Sequence, residues 1–145
     1  MDAHLYQVNI SWKENRKGEM NSPELSTPIE VATPPQFPKG VEGIWSPEHL
    51  FTAAVSSCLM TTFLAIAENS KLDFVHFSCK SKGVLEQLEG KLMMTEVILE
   101  PTVVIKTEED REKAERVLQK SEKACLISNS IKSKVTMITE IIIDE

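Results

Sequence analysis

Three cysteines, Cys58, Cys79 and Cys125, are the side chains here best suited to covalent or redox chemistry. A thiolate, not a thiol, is the nucleophile, and a free cysteine titrates near ~8.5, so a reactive one depends on its surroundings. For each cysteine alone the plainer role is packing, because cysteine is among the most commonly buried residues. Cys79 fits that role best, on a strand-like face with Val75 and Phe77. The cysteines are 21 and 46 residues apart, unlike the close pairs of a zinc site, and His4, His49 and His76 are equally scattered. No metal is expected. An odd, small number of cysteines is no disulfide scaffold, and Met1-Asp2-Ala3-His4 has neither the basic start nor the apolar run of a secretory signal. A cytoplasmic location follows as the expectation, with cysteines as free thiols, ligands or redox-active groups.

The elements that must position these residues are legible from patterning. Leu5 to Trp12 alternates, with Tyr6, Val8, Ile10 and Trp12 on one face, which predicts a half-buried strand. Glu14 to Gly18 reads as a turn, and a short strand is expected around Ile29 to Val31. Six of the seven prolines lie before residue 50, and Thr33 to Gly43 is a Pro/Gly loop. Ser46-Pro47-Glu48 is a helix start: a capping hydroxyl, proline at the first helical position, and an acid at the positive end of the dipole. That helix should run to about Asn69, is apolar or small nearly all round, and so should be enclosed on most sides. Leu72 to Gln87 and Leu92 to Lys106 read as two long strands joined at Glu89-Gly90. Thr107 with Asp110 opens a second, amphipathic helix whose Ala114, Val117, Leu118 and Ser121 follow 3.6-residue spacing towards Cys125. Lys134 to Ile143 is a last strand. The order ββ(β)-α-ββ-α-β describes an α+β fold.

With 145 residues the chain fits a single domain over 1–145, long enough for a genuine core. A net charge of −6 without a basic patch argues against nucleic acid as a partner. Leu50 to Ala67 is eighteen residues without a charge, close to membrane-spanning length. Its five hydroxyl side chains and its flanking Glu48 and Glu68, with no Lys or Arg anchor, favour a core helix, and no membrane partner is expected.

Ser46-Pro47-Glu48-His49-Leu50-Phe51, followed by Ala53-Ala54 and Ser57-Cys58, resembles the first signature of the organic hydroperoxide resistance/osmotically inducible (Ohr/OsmC-like) family. Ala124-Cys125 with Ser128-Asn129 resembles the second, and Asn15-Arg16-Lys17-Gly18 falls where that family has an arginine-bearing turn. The likeness covers nearly the whole chain. It departs at Leu126, where many relatives have proline after the second cysteine. The resemblance implies an OsmC-like fold, with antiparallel sheets packed around a long buried helix and a second amphipathic helix in an intertwined homodimer. It also implies a thiol peroxidase acting on organic hydroperoxides. Cys58 would be the peroxidatic cysteine, Cys125 the resolving one, and Arg16 and Glu48 the polar pair that tunes Cys58. An external dithiol reductant, the lipoyl type among the candidates, would restore the thiols, and no cofactor is required.

The chemistry is coherent with that assignment. Burial alone would raise a thiol, so a charge source is needed, and a guanidinium stays charged when desolvated. Glu48 could hold Arg16 by paired hydrogen bonds. Glu48 and Cys58 are ten residues apart, about 15 Å along a continuous helix, which a carboxylate cannot span. If Glu48 serves Cys58, it does so from the other chain of a dimer. An apolar pocket is expected near Trp45, Phe51, Met60 and Phe63, with Thr33 to Gly43 either a lid or a plain surface loop. Two other functions fit the same residues: a redox-sensing or stress-related dimer without efficient turnover, and a non-catalytic small-molecule binding domain.

Overall fold

The computed structural model describes residues 1–144. Contacts gather the chain into two compact units, Met1–Leu50 and Phe51–Glu145.

The first unit is a three-stranded antiparallel sheet of β1 (Asn9–Glu14), β2 (Lys17–Ser22) and β3 (Leu25–Ala32), in that order. The turn expected over Glu14 to Gly18 is tighter than anticipated. Glu14 pairs with Lys17, which leaves Asn15 and Arg16 as its two central residues. Asn15 takes φ +48°, a left-handed conformation that asparagine tolerates better than most residues. The alternation expected from Leu5 correctly marks a strand, but pairing begins only at Asn9. Its apolar side chains are largely exposed: Tyr6 is 84% exposed and Trp12 76%.

After β3 the chain runs through the Pro/Gly loop as expected. The loop is ordered by its own hydrogen bonds: the Phe37 N–H donates to the Pro34 carbonyl (3.1 Å), and the Val41 N–H donates to the Thr33 carbonyl (2.9 Å). The Ala32 N–H donates to the Trp45 carbonyl at 2.8 Å, bringing the loop's two ends together. Ser46 caps the long helix α1 (Pro47–Asn69) as the sequence requires. Its fully buried hydroxyl accepts the His49 N–H at 3.1 Å and pairs with His49 Nδ1 at 2.6 Å.

In the second unit, β4 (Phe74–Leu88) and β5 (Lys91–Ile105) form one long antiparallel hairpin. It turns at Glu89 and Gly90, both with positive φ (50° and 80°), the pairing that matches strand twist in a two-residue turn. The last strand is in fact two, β6 (Lys134–Met137) and β7 (Glu140–Ile143), and both run parallel to β5, so the sheet is mixed rather than purely antiparallel. Pro101 explains the break. Leu99 and Ile105 turn their carbonyls to the β6–β7 side, where they accept the N–H groups of Ile138 and Asp144. By the two-residue period Pro101 faces the same side, and it has no N–H to offer there.

Helix α2 (Arg111–Ala124) is preceded by a 3-10 turn over Glu108–Asp110 rather than capped at once by Thr107. It buries Ala114, Val117, Leu118 and Ser121, the stripe its spacing predicts. Ala114, Val117 and Leu118 join Phe63, Ala67, Leu72, Val103 and Ile105 in one core cluster, and Val55, Leu59, Val97 and Leu99 form a second. Helix α1 is long and apolar enough to cross a bilayer by length and composition. One side of it, through Val55, Leu59, Phe63 and Ala67, is fully buried in those clusters. Its opposite side, with Ser57, Met60, Thr61, Leu64 and Glu68, is exposed, so the expected enclosure on most sides is only partly met within one chain.

Candidate active site

Cys58 sits mid-way along α1 on its buried side, 8% exposed, and Cys125 is the residue that ends α2, 1% exposed. Each influences the acidity of the other, although 67 residues separate them. The long hairpin β4–β5 lies between them in sequence, so only the packing of α1 and α2 on that hairpin can bring this about. Cys125 leaves the helix with φ −64° and ψ 111°, and the chain then turns through Leu126 and Ile127 into a 3-10 turn over Ser128–Ser130. The Asn129 N–H donates to the Cys125 carbonyl (3.0 Å), the Ser130 N–H to the Ile127 carbonyl (2.9 Å), and the Asn129 amide to the Lys123 carbonyl (3.2 Å). The N–H groups of Leu126 and Ile127 on this turn act as donors towards Cys58 and lower its thiol.

The two thiols are driven apart in acidity. Burial is the largest influence on Cys58 and pushes it up. The Cys125 side chain, the Ile127 amide, the Thr62 hydroxyl and the Leu126 amide together outweigh burial and hold Cys58 below its ordinary value. Cys125 is pushed up, by burial first and then by its role as donor to Cys58, which the Ser128 hydroxyl and amide only partly offset. Cys58 is thus the more acidic thiol of the two and Cys125 the less acidic. Cys79 packs against the Val55–Leu59–Val97–Leu99 cluster, and burial raises its thiol, in keeping with a packing role.

In the first unit, Arg16 lies in the β1–β2 turn and Glu48 in the first turn of α1, and both line one cavity of about 530 Å³. Its walls are mostly apolar, with Ile10, Trp12, Val31, Pro34 and Phe37 among them. The Pro/Gly loop therefore contributes a wall through Pro34 and Phe37. The apolar residues expected to line a pocket do not line this cavity: Phe63 is fully buried in the core, Phe51 packs against the second cluster, and Met60 lies on the exposed face of α1. Trp45 stands edge-on to His49, ring centroids 6.3 Å apart, beside a smaller concavity. Among the described residues no group of three His, Cys, Asp or Glu side chains is placed to hold a metal.

Known proteins match this arrangement along most of its length. The OsmC-like protein family matches residues 40–140, the stretch that holds both cysteines, α1 and the hairpin between them. The chain belongs to the OsmC-like family. It is 27% identical over 145 residues to the uncharacterized protein YmaD of Bacillus subtilis, covering 97% of this chain and 95% of that one. Among solved structures it is similar to an OsmC-like protein of unknown function from Vibrio cholerae (24% identity, TM-score 0.85, 94% of this chain and 99% of that one). It is also similar to an organic hydroperoxide resistance protein OsmC from Legionella pneumophila (20% identity, TM-score 0.75, 99% and 100%). These structural likenesses carry the fold.

Within the OsmC-like frame, sequence reasoning missed the groups that surround the Cys58 sulfur. Thr62 follows Cys58 by four residues, one helical turn, so its proximity was available from spacing alone. The Leu126 and Ile127 amides were not, because the direction of a backbone N–H depends on the turn. Leucine at position 126 keeps an N–H that proline would lack.

Proposed function

We propose that this OsmC-like protein reduces organic hydroperoxides with Cys58 as the attacking thiolate and Cys125 as the resolving thiol. The observation that supports the proposal is that two buried thiols, far apart in sequence, act on each other's acidity, with Cys58 the more acidic of the pair. The Cys58 thiolate attacks the distal oxygen of ROOH, the O–O bond breaks, and the departing alkoxide takes a proton to leave as ROH. Cys58 is then a sulfenic acid. The Cys125 thiol condenses with it, forming the disulfide and releasing water, before further oxidation can occur. A small dithiol returns both cysteines to thiols and is itself oxidised to a disulfide. The near-complete burial of the pair favours a compact reductant over a protein partner.

The mostly apolar cavity that Arg16 and Glu48 line suits the organic group of such a substrate better than hydrogen peroxide. Helix α1 is unbroken from Pro47 to Asn69, so the offset of about 15 Å between Glu48 and Cys58 applies. Arg16 and Glu48 are accordingly assigned to the Cys58 site of a second copy, and the working unit to a homodimer in a reducing compartment. The uncovered apolar side chains of the β1 segment and the exposed face of α1 support this assignment. Burying one such side chain contributes roughly 1.5–3 kcal/mol, so covering Tyr6, Val8, Ile10 and Trp12 alone would stabilise a dimer by several kcal/mol.

The test is consumption of cumene, tert-butyl and hydrogen peroxides by the purified protein with a panel of dithiols. Turnover of the two organic peroxides faster than of hydrogen peroxide is expected. Formation of the Cys58–Cys125 disulfide without turnover under any dithiol would instead identify a redox sensor.

A further inference from the structure

Helix α1 carries a dense run of hydroxyls around Cys58, and they do not all behave alike. The hydroxyls of Ser56 and Ser57 donate to the carbonyls of Ala53 and Ala54, each at 3.3 Å, and that of Thr61 donates to the Cys58 carbonyl at 3.2 Å. Each is turned back onto its own helix. Thr62 differs. Its Oγ1 lies 3.8 Å from the Cys58 sulfur, a contact in which either atom can be the donor. When the sulfur carries its proton the hydroxyl can accept; once the sulfur is a thiolate the hydroxyl must donate. A donor with that freedom favours the anion without fixing the thiol.

We propose that Thr62 is a positioning residue for the reacting sulfur, its hydroxyl turning to donate to Cys58 when the thiol ionises. The surroundings give the bond consequence. Cys58 is 8% exposed, so water is largely excluded and an anionic sulfur depends on the protein for its hydrogen bonds. Its other neighbours are the backbone amides of Leu126 and Ile127, fixed by the turn, and the Cys125 side chain, which is consumed when the disulfide forms. Thr62 is therefore the side-chain donor that stays available throughout the cycle.

This inference rests on the peroxidase reading for its role in turnover, but its test does not need turnover. In a Cys79→Ser background, the rate of iodoacetamide alkylation at the Cys58 peptide is followed by mass spectrometry against pH. Thr62→Val keeps the shape and removes the hydroxyl; Thr62→Ser keeps the hydroxyl. Loss of one hydrogen bond to an anion should lower alkylation of Thr62→Val at neutral pH by about three- to tenfold and move the profile to higher pH. Thr62→Ser should restore the parent profile. Thr62→Ala serves the same comparison if the valine variant does not fold. An unchanged profile in Thr62→Val, or an equal shift in the valine and serine variants, would overturn the proposal. Absence of peroxide turnover by the parent protein would refute the peroxidase reading alone, with the alkylation profiles still deciding the place of Thr62.

Discussion

Replacing Leu126 by proline isolates one hydrogen bond at the candidate site with little collateral damage. The Leu126 side chain is 66% exposed, so its loss sacrifices little packing. The residue before it, Cys125, already has φ −64° and ψ 111°, the extended region that a residue preceding proline prefers. What disappears is the N–H that reaches the Cys58 sulfur. A hydrogen bond to a charged acceptor contributes about 1.5 kcal/mol, and 1.4 kcal/mol is a factor of ten, so the thiolate population at neutral pH should fall by up to about an order of magnitude. Sulfur is a weak acceptor and three other groups still hold the anion, which favours the lower part of that range, a few-fold. The assay is stopped-flow oxidation of Cys58 by cumene hydroperoxide in single turnover, with the pH profile of alkylation run in parallel. Leu126→Pro should slow both at neutral pH, and the two rates should converge with the parent's at high pH, where every thiol is ionised. A folded Leu126→Pro protein with an unchanged profile would refute the assignment of that amide to the thiolate. A deficit that persists at high pH would show that the substitution had moved the sulfur rather than removed a donor.

The remaining predictions are simpler. Cys58 should be alkylated well before Cys125 and Cys79 at neutral pH, since its thiol lies below the ordinary value and theirs lie above it; mass spectrometry of partially labelled protein gives the order directly. The sign for stability follows: a depressed Cys58 adds stability above the unfolded thiol's range that is lost as pH falls through its lowered folded value, and Cys58→Ser should remove that dependence from a denaturant melt. Cys58→Ser should abolish peroxide consumption, whereas Cys125→Ser should permit one oxidation, then stall and collect sulfinic and sulfonic forms at Cys58. A Cβ at Gly83 would run into the Thr52 side chain and lie 2.6 Å from Met94 Cε, so Gly83→Ala should cost about 1–3 kcal/mol in urea unfolding. Glu48→Ala and Cys58→Ser chains refolded together should recover activity, because one site of the heterodimer then has both groups intact; a dimer without recovery would return Glu48 to its own chain.

How much of this was legible beforehand depends on the range of the interactions involved. Helix α1 was readable because its determinants are adjacent in sequence: the Ser46 cap, Pro47 at the first turn and an unbroken apolar run. The buried stripe of α2 was readable for the same reason, as was the hairpin turn at Glu89-Gly90, where the residues must accept positive φ. The cysteine pair was named through family likeness, not through spacing, since 67 residues and a long hairpin intervene. The splitting of the last strand depended on which side of β5 Pro101 turns its missing N–H, and that orientation exists only once parallel partners are in place. The β1 alternation correctly marked a strand, yet a period-2 pattern cannot say whether its apolar face is buried. The acidity difference between Cys58 and Cys125 lay furthest from the sequence. Residue types supplied two thiols and one nearby hydroxyl, but the direction of two backbone N–H groups, set by a turn 68 and 69 residues downstream, helps make Cys58 the more acidic sulfur.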